Sequence, residues 1–176
     1  DLGLLKLARP NPAVERSRFR VEAGRIQPLE FWYEDGSRSG DDNAHIVFDW
    51  ERGIATVGTS SGRREMALRA GALDRGSLQA ALMRDLGAAR RPERYELADE
   101  DSIASYVYAD NGTATIETGA GSHEAQILTQ QREGSSRATW LWVAPALKYL
   151  PVLIEQRRGG EVQTAFTLQN VSFAAP

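Results

Sequence analysis

Few residues of this chain have the type and spacing that catalysis or metal binding requires. There are 2 histidines and no cysteine, which excludes disulfides, thiolate nucleophiles and cysteine-based zinc sites. One conceivable metal site would combine His45 with three nearby carboxylates, those of Asp41, Asp42 and Asp49. Zinc needs three or four ligands at suitable spacing, and neither His45 nor His123 lies in an HExxH or HxH pattern. We therefore interpret the segment around His45 as a solvated turn that leads into a strand.

Other patterns that could carry chemistry are equally weak. Asp41-Asp42-Asn43 lacks the spaced ligands and closing carboxylate of a calcium loop, and Glu100-Asp101 is a similar acidic corner. The glycine-rich stretch Gly119-Ala120-Gly121-Ser122 precedes a strand by pattern, whereas a phosphate site needs a following helix. No G-x-S-x-G motif is present. The sequence therefore predicts no catalytic residue, no cofactor and no metal.

The tryptophans are the most informative candidate binding residues. Two interpretations of them remain open. In the first they pack the core and sheets, because aromatic residues favour strands and bury large areas. In the second they line a groove for an apolar or acyl ligand. The candidate lining residues are Trp32, Trp50, Trp140 and Trp142.

Composition limits the class of protein. A length of 176 residues is enough for one domain with a real core, and we predict a single β-rich domain over residues 1–176. The net charge of −3 and scattered basic residues give no reason to expect nucleic acid as a partner. No apolar run approaches the roughly 20 residues that a membrane-spanning helix needs.

Alternating apolar residues predict strands along most of the chain. Phe31 and Tyr33 alternate with Trp32, and the next strand repeats the pattern around Phe48. Asn111-Gly112 is a strong signal for a hairpin turn.

Residues 74–86 interrupt this pattern with leucines four residues apart, which predicts one amphipathic helix. Asp74 is the expected cap, and Leu78, Leu82 and Leu86 form the expected buried face. We therefore predict a mainly β fold: a curved antiparallel sheet or half-open barrel of about ten to twelve strands wrapping one helix.

Several short segments, in this order and spacing, resemble the bacterial family named domain of unknown function 3108. The resemblance covers most of the chain from about residue 15. The segments are Glu15-Arg16-Ser17-Arg18-Phe19-Arg20-Val21, Gly24-Arg25-Ile26-Gln27-Pro28-Leu29, Phe31-Trp32-Tyr33, Phe48-Asp49-Trp50, Leu73-Asp74-Arg75, Trp142-Val143-Ala144-Pro145 and Tyr149-Leu150-Pro151-Val152.

The resemblance implies an exported protein, periplasmic or associated with the outer membrane, whose precursor carries a signal peptide. It also implies a fold akin to the lipoprotein carriers LolA and LolB, and it supplies no catalytic residue to carry over. Family members begin with additional strands, so the resemblance implies that this chain lacks its first strands. We expect the N-terminal segment, residues 1–14, to cover the resulting edge or to promote self-association through it.

Together these observations favour a non-catalytic periplasmic or envelope protein that binds a lipid-like or other apolar ligand in the concave face of its sheet. The alternative is a structural or protein-interaction module that acts through sheet edges and has no small-molecule site. A hydrolase or a metal enzyme is the least favoured class, because no acid, base or nucleophile converges in the pattern.

Overall fold

The computed structural model describes residues 11–173, and strands make up most of this part of the chain. It contains one α-helix, α1 (Arg75–Gly87), and one 3₁₀ helix, Pro145–Leu147. The strands are β1 (Val14–Glu22), β2 (Arg25–Glu34), β3 (Ala44–Asp49), β4 (Ile54–Thr59), β5 (Gly62–Ala67), β6 (Ala72–Leu73), β7 (Arg94–Ala98), β8 (Ile103–Thr118), β9 (Gly121–Arg132), β10 (Arg137–Ala144), β11 (Leu150–Arg158) and β12 (Glu161–Thr167). The predicted mainly β class with one helix is confirmed.

The strands form two sheets, of five and seven strands, whereas the sequence pattern predicts a single curved sheet or half-open barrel. The first has the order β1-β2-β3-β4-β5, and the second has the order β12-β11-β10-β9-β8-β7-β6. Strand β6 pairs with β7 in parallel, through Ala72 with Glu96 and Leu73 with Leu97. A parallel pair cannot be joined by a tight turn and needs a crossover connection. Helix α1 provides this connection between β6 and β7, after the consecutive antiparallel strands β1 to β5.

The chain divides into two compact units. The first comprises the described residues up to 81 together with Tyr95–Ala104, and the second comprises Leu82–Arg94 together with the described residues from 105 onward. Residues 1–10 lie outside the described part, so the prediction for segment 1–14 can be followed only from Asn11, whose N–H donates to the Gly36 carbonyl at 3.2 Å. No helix among residues 11–173 is long and apolar enough to cross a membrane.

The core of the first unit lies against one face of the five-stranded sheet. It follows the alternation that the sequence predicts, since Phe31, Ile46 and Phe48 are buried while Val47 is exposed. Ala55 and Val57 add the inward positions of β4. The opposite face of this sheet is therefore free to carry polar and aromatic side chains.

The helix begins directly after Asp74, the residue that the sequence predicts as its cap. The N–H of Ser77 donates to Asp74 Oδ1 at 2.8 Å, and the N–H of Asp74 donates back to Ser77 Oγ at 2.9 Å. This reciprocal pair satisfies backbone donors that the first helical turn leaves open. The three leucines of the predicted apolar face, Leu78, Leu82 and Leu86, are all buried.

The predicted hairpin at Asn111-Gly112 is wrong. Strand β8 runs through both residues and carries a bulge there, because its register with β9 shifts between Asp110 and Thr113. Gly112 has a φ of 87°, and its N–H donates to Asp110 Oδ1 at 2.8 Å. A bulge, like a tight turn, can use a left-handed glycine, so the same local signal fits both structures. The chain reverses instead between Thr118 and Gly121.

Candidate functional site

A row of unlike side chains crosses the five-stranded sheet on the face opposite the core. Cross-strand pairing places Arg16 beside Trp32 and Trp32 beside His45. His45 is beside Gly58, and Gly58 is beside Arg63. Directly opposed residues in an antiparallel pair share a face, so these five positions form one line from β1 to β5. We call this line the Trp32 row.

The two aromatic members of the Trp32 row are stacked. Their ring centroids lie 5.3 Å apart, and the planes differ by 10°. His45 Nε2 lies 2.8 Å from Glu30 Oε1, and the other oxygen of Glu30 accepts from Arg18 Nη2 at 2.6 Å. A carboxylate can only accept, so in this contact Nε2 carries the proton and the imidazole is held in one orientation. The stack is therefore a fixed platform, and the His45 side chain remains 45% exposed.

The next member of the row is Gly58, and neither its backbone conformation nor its neighbours require a glycine at this position. Gly58 lies inside β4, and its φ lies outside the left-handed region. A Cβ added there would have only the carbonyl oxygen of His45 within 4 Å, at 3.9 Å. Glycine weakens a strand interior and often marks a place where a ligand or another backbone approaches closely. We call the open space above Gly58, bounded through the strand register by His45 and Arg63, the Gly58 gap.

The Trp32 row continues into a cleft of about 470 Å³ at one end of the sheet, the Trp32 cleft. Trp32, His45 and Gly58 line it on the sheet side. Its other lining groups include neutral hydrogen-bonding side chains, those of Ser39, Asn43, Thr59 and Ser60. The cleft is therefore shallow and open to solvent, and it combines an aromatic wall with hydroxyl and amide groups.

The loop that closes this end is held by side-chain hydrogen bonds. Asn43 Oδ1 accepts from the N–H of Asp35 at 2.9 Å. Ser60 Oγ, in the turn between β4 and β5, donates to the Asp41 carbonyl at 2.6 Å. Asp41, Asp42 and Asn43, considered in the sequence as an acidic turn, therefore belong to a loop tied to the neighbouring hairpin.

A second polar centre of the first unit surrounds Arg75 in the first turn of α1. Its guanidinium carbon lies 4.9 Å from the Tyr33 ring centroid and 5.2 Å from that of Phe31. Arg75 Nη2 pairs with Glu100 at 2.9 Å, and Nε lies 3.3 Å from a carboxylate oxygen of Glu15. The arginine therefore joins an edge strand, the helix and the turn after β7.

The carboxyl groups next to Arg75 have perturbed acidity. Burial raises the pKa of Glu100 to about 7, assisted by a hydrogen bond with Asp99 and by the negative charge of Asp99. Burial alone would raise the pKa of Asp99 too, but its hydrogen bonds to Glu100 and the nearby Arg75 charge hold that pKa below its usual value. Glu100 also borders a polar depression of about 550 Å³ with Arg64 and Asp101, which pair at 3.3 Å.

Trp50, predicted as a lining residue, is anchored on the core side of the five-stranded sheet. Its ring packs near-parallel to Phe48 with centroids 6.2 Å apart, and its Nε1–H donates to the Pro28 carbonyl at 2.7 Å. Trp32 lies on the opposite face. The structure therefore does not bring these two tryptophans to one surface.

Trp140 and Trp142 belong to the second unit and contact each other. Their centroids are 6.1 Å apart, and the Arg157 guanidinium lies 4.1 Å from the Trp140 ring and 5.8 Å from the Trp142 ring. Arg157 is itself held by Glu155 at 2.8 Å. Trp142 is buried in the core cluster of this unit, against which Leu168 packs. These two rings are thus largely occupied by packing and by a cation.

The residues considered for a metal site do not converge. Among residues 11–173, no group of three or more histidine and acidic side chains could hold a metal ion. His45 contacts Glu30 instead, and Asp49 Oδ1 accepts from the N–H of Arg52 at 2.9 Å.

Sequence reasoning identified Trp32 but missed Gly58 and Arg63. A signal for the glycine existed, because an isolated glycine inside a strand pattern indicates a bulge or a close approach. Its partners His45 and Arg63 are set by strand register, which the local pattern does not reveal.

Comparison with known proteins gives a family but no characterised relative. No curated protein and no solved structure matches the chain. Residues 6–164 match the model of a family described as "Protein of unknown function (DUF3108)". This match covers most of the chain and agrees with the resemblance carried by its strand and corner segments, so the protein belongs to the DUF3108 family.

Proposed function

We propose that the protein is a non-catalytic binding module of the bacterial envelope that holds a small ring-bearing ligand in the Trp32 cleft. One observation carries the proposal: the Trp32–His45 stack lies beside an open strand glycine at the mouth of a cleft of about 470 Å³. A preoriented aromatic wall with neutral hydrogen-bonding neighbours suits recognition of a ligand. The Nε2 of His45 is engaged by Glu30, which supports a positioning role for this histidine.

The placement in the envelope rests on the family resemblance. We expect the natural precursor to carry a secretion signal and the mature protein to be released with the periplasmic fraction. Osmotic-shock fractionation of the native host, followed with an antibody to this chain, tests this expectation. Recovery with the cytosolic marker would contradict it.

The lipid-like ligand expected from the tryptophans remains a second occupant to test. The Trp32 cleft offers one aromatic wall and several hydroxyl groups, which favours a polar ring over a long acyl chain. Native mass spectrometry of protein purified from its own host would show the mass of any retained molecule. We expect a retained molecule to be lost from Trp32→Ala and kept by Val47→Thr, a change on the same face outside the cleft.

A separate observation favours the alternative role as a protein-interaction module. Strand β12 lies at one end of the seven-stranded sheet and is exposed along its whole length. Pairing through β9 to β12 aligns Leu128, Leu141, Ile154 and Phe166, and this row ends at Phe166, which is 58% exposed. An open edge that ends an apolar row can accept a strand from another chain.

Sedimentation over a range of protein concentrations tests this second role. We expect Phe166→Lys to reduce any self-association, because a charge at an edge strand opposes further pairing. Val47→Lys is the control, since Val47 is also exposed but lies on a central strand of the other sheet. Equal association of both variants would remove the support for the β12 edge.

A further inference from the structure

We propose that the ligand of the Trp32 cleft is an acidic saccharide unit, which stacks on the open face of His45 above Gly58 and directs its acid group to Arg63. This inference rests on the proposed binding function and names its ligand class. Its first support is the order of the Trp32 row, in which a stacked aromatic pair, a glycine and an arginine follow one another across adjacent strands.

The Gly58 gap has the width of one ring. Neighbouring strands lie about 4.8 Å apart, so the backbones of β3 and β5 are separated by roughly 9.6 Å across β4. Trp32 covers the face of His45 on the β2 side. The other face is directed toward β4, where Gly58 has no side chain. A ligand ring stacked about 4 Å from the imidazole therefore fits over Gly58. A substituent on this ring can then reach the side chain of Arg63 on β5.

Charge gives the second support. Neither Arg16 nor Arg63 forms an ion pair or side-chain hydrogen bond with another described residue, whereas Arg18 and Arg64 are both paired. Arg63 lies opposite Gly58 in the strand register and lines the neighbouring depression of about 550 Å³. A guanidinium without a partner at this position can bind a carboxylate through two parallel hydrogen bonds.

The opposite end of the cleft carries a negative charge. Glu34 lines the cleft there, while Arg63 closes the Gly58 gap through the strand register. A ligand with one acid group is therefore oriented with that group toward Arg63 and away from Glu34.

The neutral groups of the cleft favour a saccharide over an aromatic acid. The rim carries the hydroxyl and amide groups of Ser39, Asn43, Thr59 and Ser60. Each of them has a hydrogen-bond partner within the protein, and a hydroxyl that donates one hydrogen bond keeps lone pairs that can accept another. A pyranose presents hydroxyl groups at its edge and C–H groups on its face, which matches polar groups at the rim and an aromatic wall. An aromatic acid would use the wall and the arginine but has no hydroxyl groups to offer to the rim.

The test is titration of the isotopically labelled protein with glucuronic acid, glucose and benzoic acid, observed by NMR. Glucuronic acid is expected to bind and to shift the Trp32 indole and His45 ring signals, and glucose is expected to bind more weakly. Gly58→Val should weaken glucuronic acid binding by about tenfold or more, because its methyl groups occupy the Gly58 gap. Thr56→Val, two residues away on the same strand and face, should bind as the natural protein does.

Arg63→Gln separates charge recognition from ring stacking. This variant should lose the preference for glucuronic acid over glucose while retaining the weak response to glucose. The inference is overturned if glucuronic acid binds equally well to Gly58→Val, if Arg63→Gln retains the preference, or if benzoic acid binds as tightly. Absence of any saccharide response would also overturn it. The proposed binding function fails separately, if no ligand from the native host depends on Trp32.

Discussion

The imidazole of His45 lies 10° from parallel to the indole of Trp32, with the ring centroids 5.3 Å apart, although the two residues belong to different strands. The strand that follows, β4, places Gly58 next to this pair. An aromatic stack that ends at a strand glycine leaves ring surface open to a ligand, and the stability of the sheet itself does not require this glycine.

Replacing Gly58 with valine should stabilise the fold. The φ of Gly58 is outside the left-handed region, and an added Cβ would meet only an ordinary contact at 3.9 Å. A β-branched residue suits a strand, so the free energy of unfolding should rise by about 0.5–1 kcal/mol in urea titrations. Gly62→Val is the control, because Gly62 has a φ of 131° and its replacement should destabilise. Destabilisation by Gly58→Val would indicate that the strand itself needs the glycine.

Truncation of Leu82 should be among the costly core changes. Its side chain is 1% exposed within α1, and Leu→Ala at such a site loses burial and leaves a cavity. We expect the free energy of unfolding to fall by about 2–5 kcal/mol. Arg84→Ala, at an exposed position of the same helix, should change it by less than about 0.5 kcal/mol. Equal urea denaturation midpoints for Leu82→Ala and Arg84→Ala would show that α1 adds little to stability.

Removal of the helix cap should weaken both α1 and its contact with β1. Asp74 accepts from the N–H of Ser77 at 2.8 Å, and its other oxygen accepts from Ser17 Oγ at 3.0 Å. Asp74→Ala should lower the free energy of unfolding by about 1–2 kcal/mol. Asp74→Asn keeps an acceptor for Ser77 and should retain most of this stability. Hydrogen exchange at the first turn of α1 would check the location of the effect, and unchanged protection there in Asp74→Ala would contradict it.

The acidity of Glu100 should make stability depend on pH. Its folded pKa of about 7 exceeds the value of 4.5 for the free side chain, so the folded state holds the proton more tightly than the unfolded chain. The resulting stabilisation is complete below about pH 4.5 and is lost as the pH rises through about 7.

Chemical denaturation at a series of pH values, with the natural protein compared with Glu100→Gln, measures this contribution. As the pH rises from 4.5 to about 7, the unfolding free energy of the natural protein should fall relative to that of Glu100→Gln. Glu51→Gln changes an exposed carboxyl in the turn before β4 and serves as the control. A constant difference for Glu100→Gln across this range would refute the raised pKa.

Much of the fold could be predicted because its signals are local. The alternation around Phe31 and Phe48 sets which residues can share a face of a strand, and the structure buries them as that period requires. Asp74 and the leucines of α1 lie within four residues of their partners along the chain, so cap and buried face follow from spacing alone.

Local signals could not decide which structure Asn111-Gly112 would form. A left-handed glycine satisfies a hairpin and a bulge equally, and the choice depends on the pairing of β8 with all of β9. The division into two sheets was likewise hidden, because the parallel pairing of β6 with β7 joins residues on either side of a helix.

The sequence alone determined the mainly β class, the one helix with its cap and buried leucines, which residues of a strand share a face, and the family to which the chain belongs. Only the tertiary structure decided that Trp32 meets His45 while Trp50 faces the core, and that Gly58 separates His45 from Arg63. The physical reason is that periodicity acts between neighbours along the chain, whereas register depends on partners from other strands. A candidate site assembled from four strands therefore becomes visible only when those strands are paired.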